Sequence, residues 1–154
     1  MADRPRETPR AVEFAVRRGR REDLPAVAEL AGRVLPEAGD AASLASFLDG
    51  AAGRLWVAGD QAGVAGFLLA NRVADEAEIL WMGVAAEARR TGLGRALIEA
   101  ASSEPPAPAV LVLEVRAGNT TGRSFYAALG FREEGERRGY YGGGEDAIRM
   151  ARRV

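Results

Sequence analysis

The chain contains no cysteine, no histidine and no lysine. Without cysteine there is no disulfide framework, no thiolate nucleophile and no cysteine-based metal site. Without histidine there is no imidazole base, no Ser-His-Asp triad and no ordinary zinc site. Without lysine there is neither a Walker-type phosphate loop nor a Schiff base, and all 21 basic residues are arginine. An enzyme built on this sequence must take its acid–base groups from Asp, Glu, Tyr or a chain terminus. No apolar run approaches the roughly 20 residues that span a bilayer, and the N-terminal residues lack the apolar core of a signal peptide. The expected compartment is therefore the cytoplasm, with no membrane partner. A net charge of −1 argues against nucleic acid as a partner. The longest basic run is only Arg17-Arg18-Gly19-Arg20-Arg21.

What is present reads as one globular unit. Apolar residues at 47% and charged residues at 28% of 154 positions suit a domain that folds around its own core without cross-links. Residues 1–11, with Pro5 and Pro9, read as a flexible tail, and 12–154 as a single domain. Strands are expected over 12–17, 54–58, 64–73, 77–84, 110–115, 131–138 and 146–152. Helices are expected over 24–34, with Asp23 as N-cap and Pro25 in the first turn, over 41–48, from 93 to about 102, and over 119–129. Gly130 is the expected stop of the last. The strand–helix–strand crossover from Ile79 to Val115 implies one parallel pair in an otherwise antiparallel sheet. The expected class is thus α/β (α+β): a mixed, mostly antiparallel sheet flanked by about four helices.

The most informative stretch is Arg89-Arg90-Thr91-Gly92-Leu93-Gly94-Arg95. It joins an apolar strand to a helix. Backbone N–H groups at such a helix N-terminus point outward, the helix dipole is positive there, and glycine lets a ligand approach. A dinucleotide fingerprint is excluded, because Leu97 stands where the third glycine belongs. What remains is a pyrophosphate held by backbone N–H groups and by Arg89, Arg90 or Arg95, or else a plain turn with solvated arginines.

Three further residues stand out. In the strand 110–115, Val110, Val112 and Glu114 share one face, and a carboxylate ending an apolar face is costly unless paired or functional. Glu114 is therefore either a general base or the partner of an arginine. Asn119 and Tyr126 lie seven apart, on one helical face. Asn119 is equally readable as an N-cap, and Tyr126 as a core aromatic with its hydroxyl at the rim.

Taken in order, these features resemble the GNAT superfamily of acetyl-CoA-dependent N-acetyltransferases, and within it the RimI-type ribosomal-protein alanine N-acetyltransferases. The resemblance rests on Arg89-x-x-Gly92-x-Gly94-x-Ala96-Leu97, Leu113-Glu114-Val115-Arg116-x-x-Asn119, Phe125-Tyr126-x-x-Leu129-Gly130-Phe131, Arg137-x-x-Tyr140-Tyr141 and Glu145-Asp146-Ala147-x-x-Met150. It covers about half of the chain. It implies that the parallel strands splay at an acetyl-CoA site. Residues Arg89, Arg90, Thr91, Gly92, Leu93, Gly94, Arg95 and Ala96 would hold the CoA pyrophosphate. The backbone of Met82, Gly83 and Val84 would bind the acetyl group and pantetheine arm. Asn119 would contact that arm. Glu114 would act as general base, Tyr126 would protonate the departing thiolate, and Tyr140 and Tyr141 would line the acceptor's entry groove. No metal is implied. The family's usual Ser and Ala around Asn119 are replaced by Gly118 and Gly122, and the loop 35–40 lacks a Pro-Trp-Ser element.

Without cysteine an acyl-thiol relay is closed, so direct attack of the amine on the thioester is the expected route. An α-amine, with a pKa of about 7.7–8, needs less help than a lysine amine near 10.4. The expected acceptor is therefore the N-terminus of a protein, a ribosomal protein by resemblance, handled by a monomer or homodimer. The alternatives are a small amine (amino acid, polyamine or antibiotic) as acceptor, an RNA-directed acetyltransferase, and a non-catalytic acyl-CoA-binding sensor.

Overall fold

A computed structural model describes residues 14–35, 40–60 and 63–154. The expected tail over 1–11, the start of the first strand, residues 36–39 of the first loop and Gln61-Ala62 of the hairpin turn lie outside the described residues. In chain order the elements are β1 (Val16–Arg18), α1 (Leu24–Val34), α2 (Ala41–Asp49), β2 (Gly53–Asp60), β3 (Gly63–Val73), β4 (Glu76–Val84), α3 (Leu93–Ser103), β5 (Val110–Arg116), α4 (Thr120–Ala128), β6 (Arg132–Arg137) and β7 (Ala147–Arg153). The strands form one sheet of order β1-β2-β3-β4-β5-β7-β6. Among the described residues only β4 and β5 pair in parallel, and the other pairings are antiparallel. The class read from the sequence is the one observed.

The central strand β3 is apolar on both faces, with Phe67, Leu68 and Leu69 all buried. That pattern demands cover on both sides. A Cβ on Gly83 would meet Phe67 and Val34 of α1, whereas one on Gly66 would meet Leu93 and Leu97. Helix α1 thus covers one face and α3 the other. Leu24, Val27, Leu30 and Ala31 of α1, and Leu93, Leu97, Ile98 and Ala101 of α3, are the buried stripes at helical spacing. By contrast, no residue of α4 is fully buried; it lies over the mouth of the sheet.

Three local expectations are corrected. Within the described residues the first strand spans Val16–Arg18, one residue past its expected end, and residues 14 and 15 are not part of it; it pairs with β2. Asp23 occupies the N-cap position of α1 but does not cap it. Its carboxylate accepts two hydrogen bonds from the Arg17 guanidinium, at 2.7 and 2.8 Å, and one from the Arg20 N–H at 2.8 Å. A charged bidentate donor outcompetes the weaker cap. Asp40, expected in a loop, instead caps α2 by accepting the Ser43 N–H at 2.9 Å.

Candidate active site

The site begins where the two parallel strands part. Their register runs from Glu76–Val110 to Ile79–Leu113 and ends there. At the same point β4 carries a bulge: Leu69 faces Trp81 and Ala70 faces Ile79, leaving Leu80 as the extra residue. A bulge bends its strand and re-aims the residues beyond it. Past Leu80, residues 81–84 of β4 keep β3 on one edge but lose β5 on the other. Glu114, Val115 and Arg116 of β5 pair only with β7. Two adjoining cavities of about 650 Å³ and 520 Å³ occupy the gap, sharing Leu35, Met82, Arg89, Thr121 and Phe125 in their walls.

The first cavity is walled by the strand-to-helix turn. Arg90 and Gly92 take left-handed φ values of +62° and +82°, a conformation costly for a side-chain-bearing residue. This double reversal brings α3 in with its N-terminus open. Among the described residues no acceptor meets the N–H groups of Leu93, Gly94 or Arg95, and the first helical bond at this end is Ala96 N–H to Gly92 O at 3.0 Å. Nor do Arg89, Arg90 and Arg95 form an ion pair among those residues, and all three line the cavity with Met82, Gly83 and Val84. Three outward N–H groups, three uncommitted guanidinium groups and a positive helix end suit a polyanion. Thr91 and Ala96 sit differently. The Thr91 hydroxyl donates back to Ala88 O at 2.5 Å, and neither residue is in the cavity wall. Gly94 also has a packing reason: a Cβ there would stand 2.8 Å from Cζ of Phe125.

The second cavity gathers Glu114, Asn119, Tyr126 and Tyr141, with Trp81 and Arg116. Glu114 has a side chain only 13% exposed and is bound by Arg137 Nε at 2.9 Å, so its pairing with an arginine is real and sits inside the site. Asn119 accepts the Gly122 N–H at 2.9 Å through Oδ1, capping α4. A Cβ on residue 122 would come within 2.6 Å of Asn119 Nδ2, so glycine at 122 makes room for this folded-back amide. Tyr126 is fixed by the end of its helix. The N–H of Gly130 donates to Ala127 O and that of Phe131 to Tyr126 O, both at 3.0 Å, with Gly130 at φ +91°. This is a Schellman stop, and the Phe131 ring packs edge-on against Tyr126 at 5.7 Å. Burial pushes the Tyr126 phenol up to about 12, so it remains a proton donor at neutral pH.

The two expected groove tyrosines divide. Tyr141 lines the cavity, under the Arg116 guanidinium at 4.1 Å. Its phenol is raised by burial and then by the charge of Glu114. Tyr140 is 54% exposed, outside the cavity wall, with Arg137 over its ring at 5.3 Å. Sequence reasoning missed Trp81, Thr121 and Phe125 as wall residues. Phe125 had a signal, since it adjoins the Asn119–Tyr126 helical face at an otherwise polar rim; Thr121 had none. The basic run at 17–21 is largely committed within the fold: Arg17 to Asp23, Arg18 to Glu104 and Arg21 to Asp49.

Comparison with known proteins agrees with this geometry. Residues 51–133 match the acetyltransferase (GNAT) domain family. The chain is 43% identical over 93 residues to the [ribosomal protein bS18]-alanine N-acetyltransferase of Escherichia coli strain K12, a match covering 57% of this chain and 63% of that one. The crystal structure of the ribosomal-protein-S18-alanine N-acetyltransferase from Escherichia coli superposes with a TM-score of 0.82 at 33% identity, over 92% of this chain and 94% of that one. Arabidopsis thaliana NAA60, solved in complex with acetyl-CoA, shares the fold at a TM-score of 0.78 and 21% identity, over 92% and 99% of the two chains. A seven-stranded sheet splayed at its single parallel pair, a family match over more than half of the sequence and a close structural relative agree that the chain belongs to the GNAT acetyltransferase family.

Proposed function

We propose that this protein is an acetyl-CoA-dependent N-acetyltransferase that modifies the N-terminal α-amine of a protein, an N-terminal alanine of a ribosomal protein above other acceptors, in the cytoplasm. The observation that carries the reading is the pairing of two cavities across one splay: an anion-binding turn in the first, and a carboxylate facing the same space as a neutral phenol in the second. The similarity to the bS18-alanine enzyme supports the choice of acceptor.

In this reading the N–H groups of Leu93, Gly94 and Arg95, with Arg89, Arg90 and Arg95, bind the CoA pyrophosphate. The edge of Met82, Gly83 and Val84 that β5 leaves unpaired offers backbone donors and acceptors to the pantetheine arm. Acetyl-CoA supplies an activated thioester carbonyl. Glu114 takes a proton from the acceptor ammonium, directly or through water, and frees its lone pair. As the new C–N bond forms and the C–S bond breaks, the Tyr126 hydroxyl donates to the leaving sulfur. The acetyl group ends on nitrogen, the second amine proton restores the Tyr126 hydroxyl, the thiol leaves protonated, and the proton on Glu114 passes to solvent. Asn119 holds the start of α4, and hence Tyr126, in register.

The test is an acetylation assay over peptides differing in their first residue, with free amino acids, polyamines and aminoglycosides as competing acceptors. Alanine-first peptides should turn over fastest. Turnover of free small amines alone would reject the protein acceptor.

A further inference from the structure

The pairing of Glu114 with Arg137 has an unusual layout. Glu114 lies opposite Arg149, and Arg116 opposite Ala147, across β5 and β7. Arg137 lies opposite Ala147 across β6 and β7. Directly opposed residues share a face, as do residues two apart. Glu114 thus shares one face with three arginines. Two of these have carboxylates elsewhere: Arg116 with Glu145 at 3.1 Å and Arg149 with Glu76 at 3.8 Å. Among the described residues Arg137 has only Glu114, which it reaches over the single methyl of Ala147.

The two partners differ sharply in exposure, 58% for the Arg137 side chain against 13% for Glu114. A carboxylate that deep requires a counter-charge, but the cation on it sits in water and can leave. It also has somewhere to go: the Tyr140 ring already lies beneath it at 5.3 Å, a seat for a guanidinium. An acceptor α-amine, with a pKa of about 7.7–8, arrives mostly as a cation at neutral pH. It can take the seat on Glu114 without leaving the carboxylate unpaired.

We propose that Arg137 is an exchangeable counter-ion, which holds the Glu114 carboxylate in the free protein and yields that place to the cationic amine of the acceptor. The inference rests on Glu114 being the base in the reading above. It makes Arg137 a positioning residue that sets acceptor specificity. Acceptors that arrive charged can displace it; uncharged nucleophiles cannot.

The test compares the wild-type protein with Arg137→Gln and Arg137→Lys on an alanine-first peptide. It adds calorimetry of the CoA-loaded protein with that peptide and with its α-hydroxy analogue, which lacks the cation. Arg137→Gln should lower the peptide KM about two- to fivefold, the range of a partly exposed ion pair, with kcat changed less than about twofold. Arg137→Lys should restore the wild-type KM. In calorimetry the gain should be confined to the amine peptide. A tenfold fall in kcat at unchanged KM would place Arg137 on Glu114 throughout the reaction and overturn the exchange. Equal changes for amine and hydroxy peptides, or none for either, would also overturn it. If the wild type acetylates no amine, the function reading fails, and the calorimetric comparison still decides whether exchange occurs.

Discussion

The N–H of Phe131 donates to the carbonyl of Tyr126 at 3.0 Å, and the rings of the same two residues meet edge-on at 5.7 Å. A helix stop and a candidate catalytic phenol are therefore one local structure. Its hinge is Gly130, at φ +91°, where an L side chain is strained by about 1–2 kcal/mol. Gly130→Ala should lower the melting temperature by several degrees and reduce kcat by loosening Tyr126. Gly32→Ala, in an open helical position with nothing within 4 Å of the added Cβ, is the control and should not destabilise. Thermal melts of both variants, read beside turnover, check this.

Gly94 and Phe125 give a second prediction. A Cβ at residue 94 would stand 2.8 Å from the Phe125 ring, and that ring is part of the wall of both cavities. Gly94→Ala must displace the ring and so reshape the wall that both cavities share. The expected outcome is a raised KM for acetyl-CoA, roughly tenfold for about 1.4 kcal/mol of lost binding, with the fold intact. Gly94→Ala combined with Phe125→Ala should recover part of the loss, because the clash is gone. Initial-rate kinetics on the single and double variants measures both effects.

The architecture was readable because the local signals agreed with one another. The apolar run in β3, the breaker at Gly130 and the Gly-bearing turn at 89–95 each name their own element. What stayed hidden was pairing at a distance. Asp23 precedes Pro25 and looks like a cap, yet Arg17 claims its carboxylate. Glu114 could have met any of 21 arginines; only the order β5-β7-β6 and the small Ala147 between strands select Arg137. Gly94 carried the signature of close ligand approach, while the nearest atom to its missing side chain belongs to Phe125. Tyr140 and Tyr141 are adjacent in sequence and their rings meet edge-on at 5.1 Å, yet only Tyr141 is in the cavity wall. Such choices depend on which faces the sheet brings together, and residue types at fixed spacing do not encode them separately.

Glu114 and Tyr126 predict a particular kinetic pattern. Glu114→Gln removes the proton acceptor and Tyr126→Phe the donor. Each should lower kcat roughly 100-fold while acetyl-CoA still binds, as calorimetry would register. The phenol, pushed up to about 12, stays protonated through the working range. No falling limb of the wild-type pH–rate profile below about pH 11 should vanish in Tyr126→Phe. A basic limb near pH 9 that disappears in this variant would contradict the phenol's role as a buried neutral donor.

Asp23 makes the acid stability of the fold measurable at one residue. The Arg17 guanidinium is the main cause that holds its carboxyl below the usual range, helped by the Arg20 N–H and opposed by burial. A carboxyl depressed in the folded state contributes stability that is complete above its unfolded value of about 3.9. That contribution fades as pH falls through this value toward the lower folded one. Asp23→Asn keeps the shape but loses the charge under three hydrogen bonds. It should cost about 1.5–3 kcal/mol at pH 7, and the difference from wild type should shrink steadily from pH 5 downward. Denaturant unfolding of both proteins between pH 7 and pH 3 tests the sign. A gap that widened on acidification would mean that Asp23 is not held ionised by Arg17.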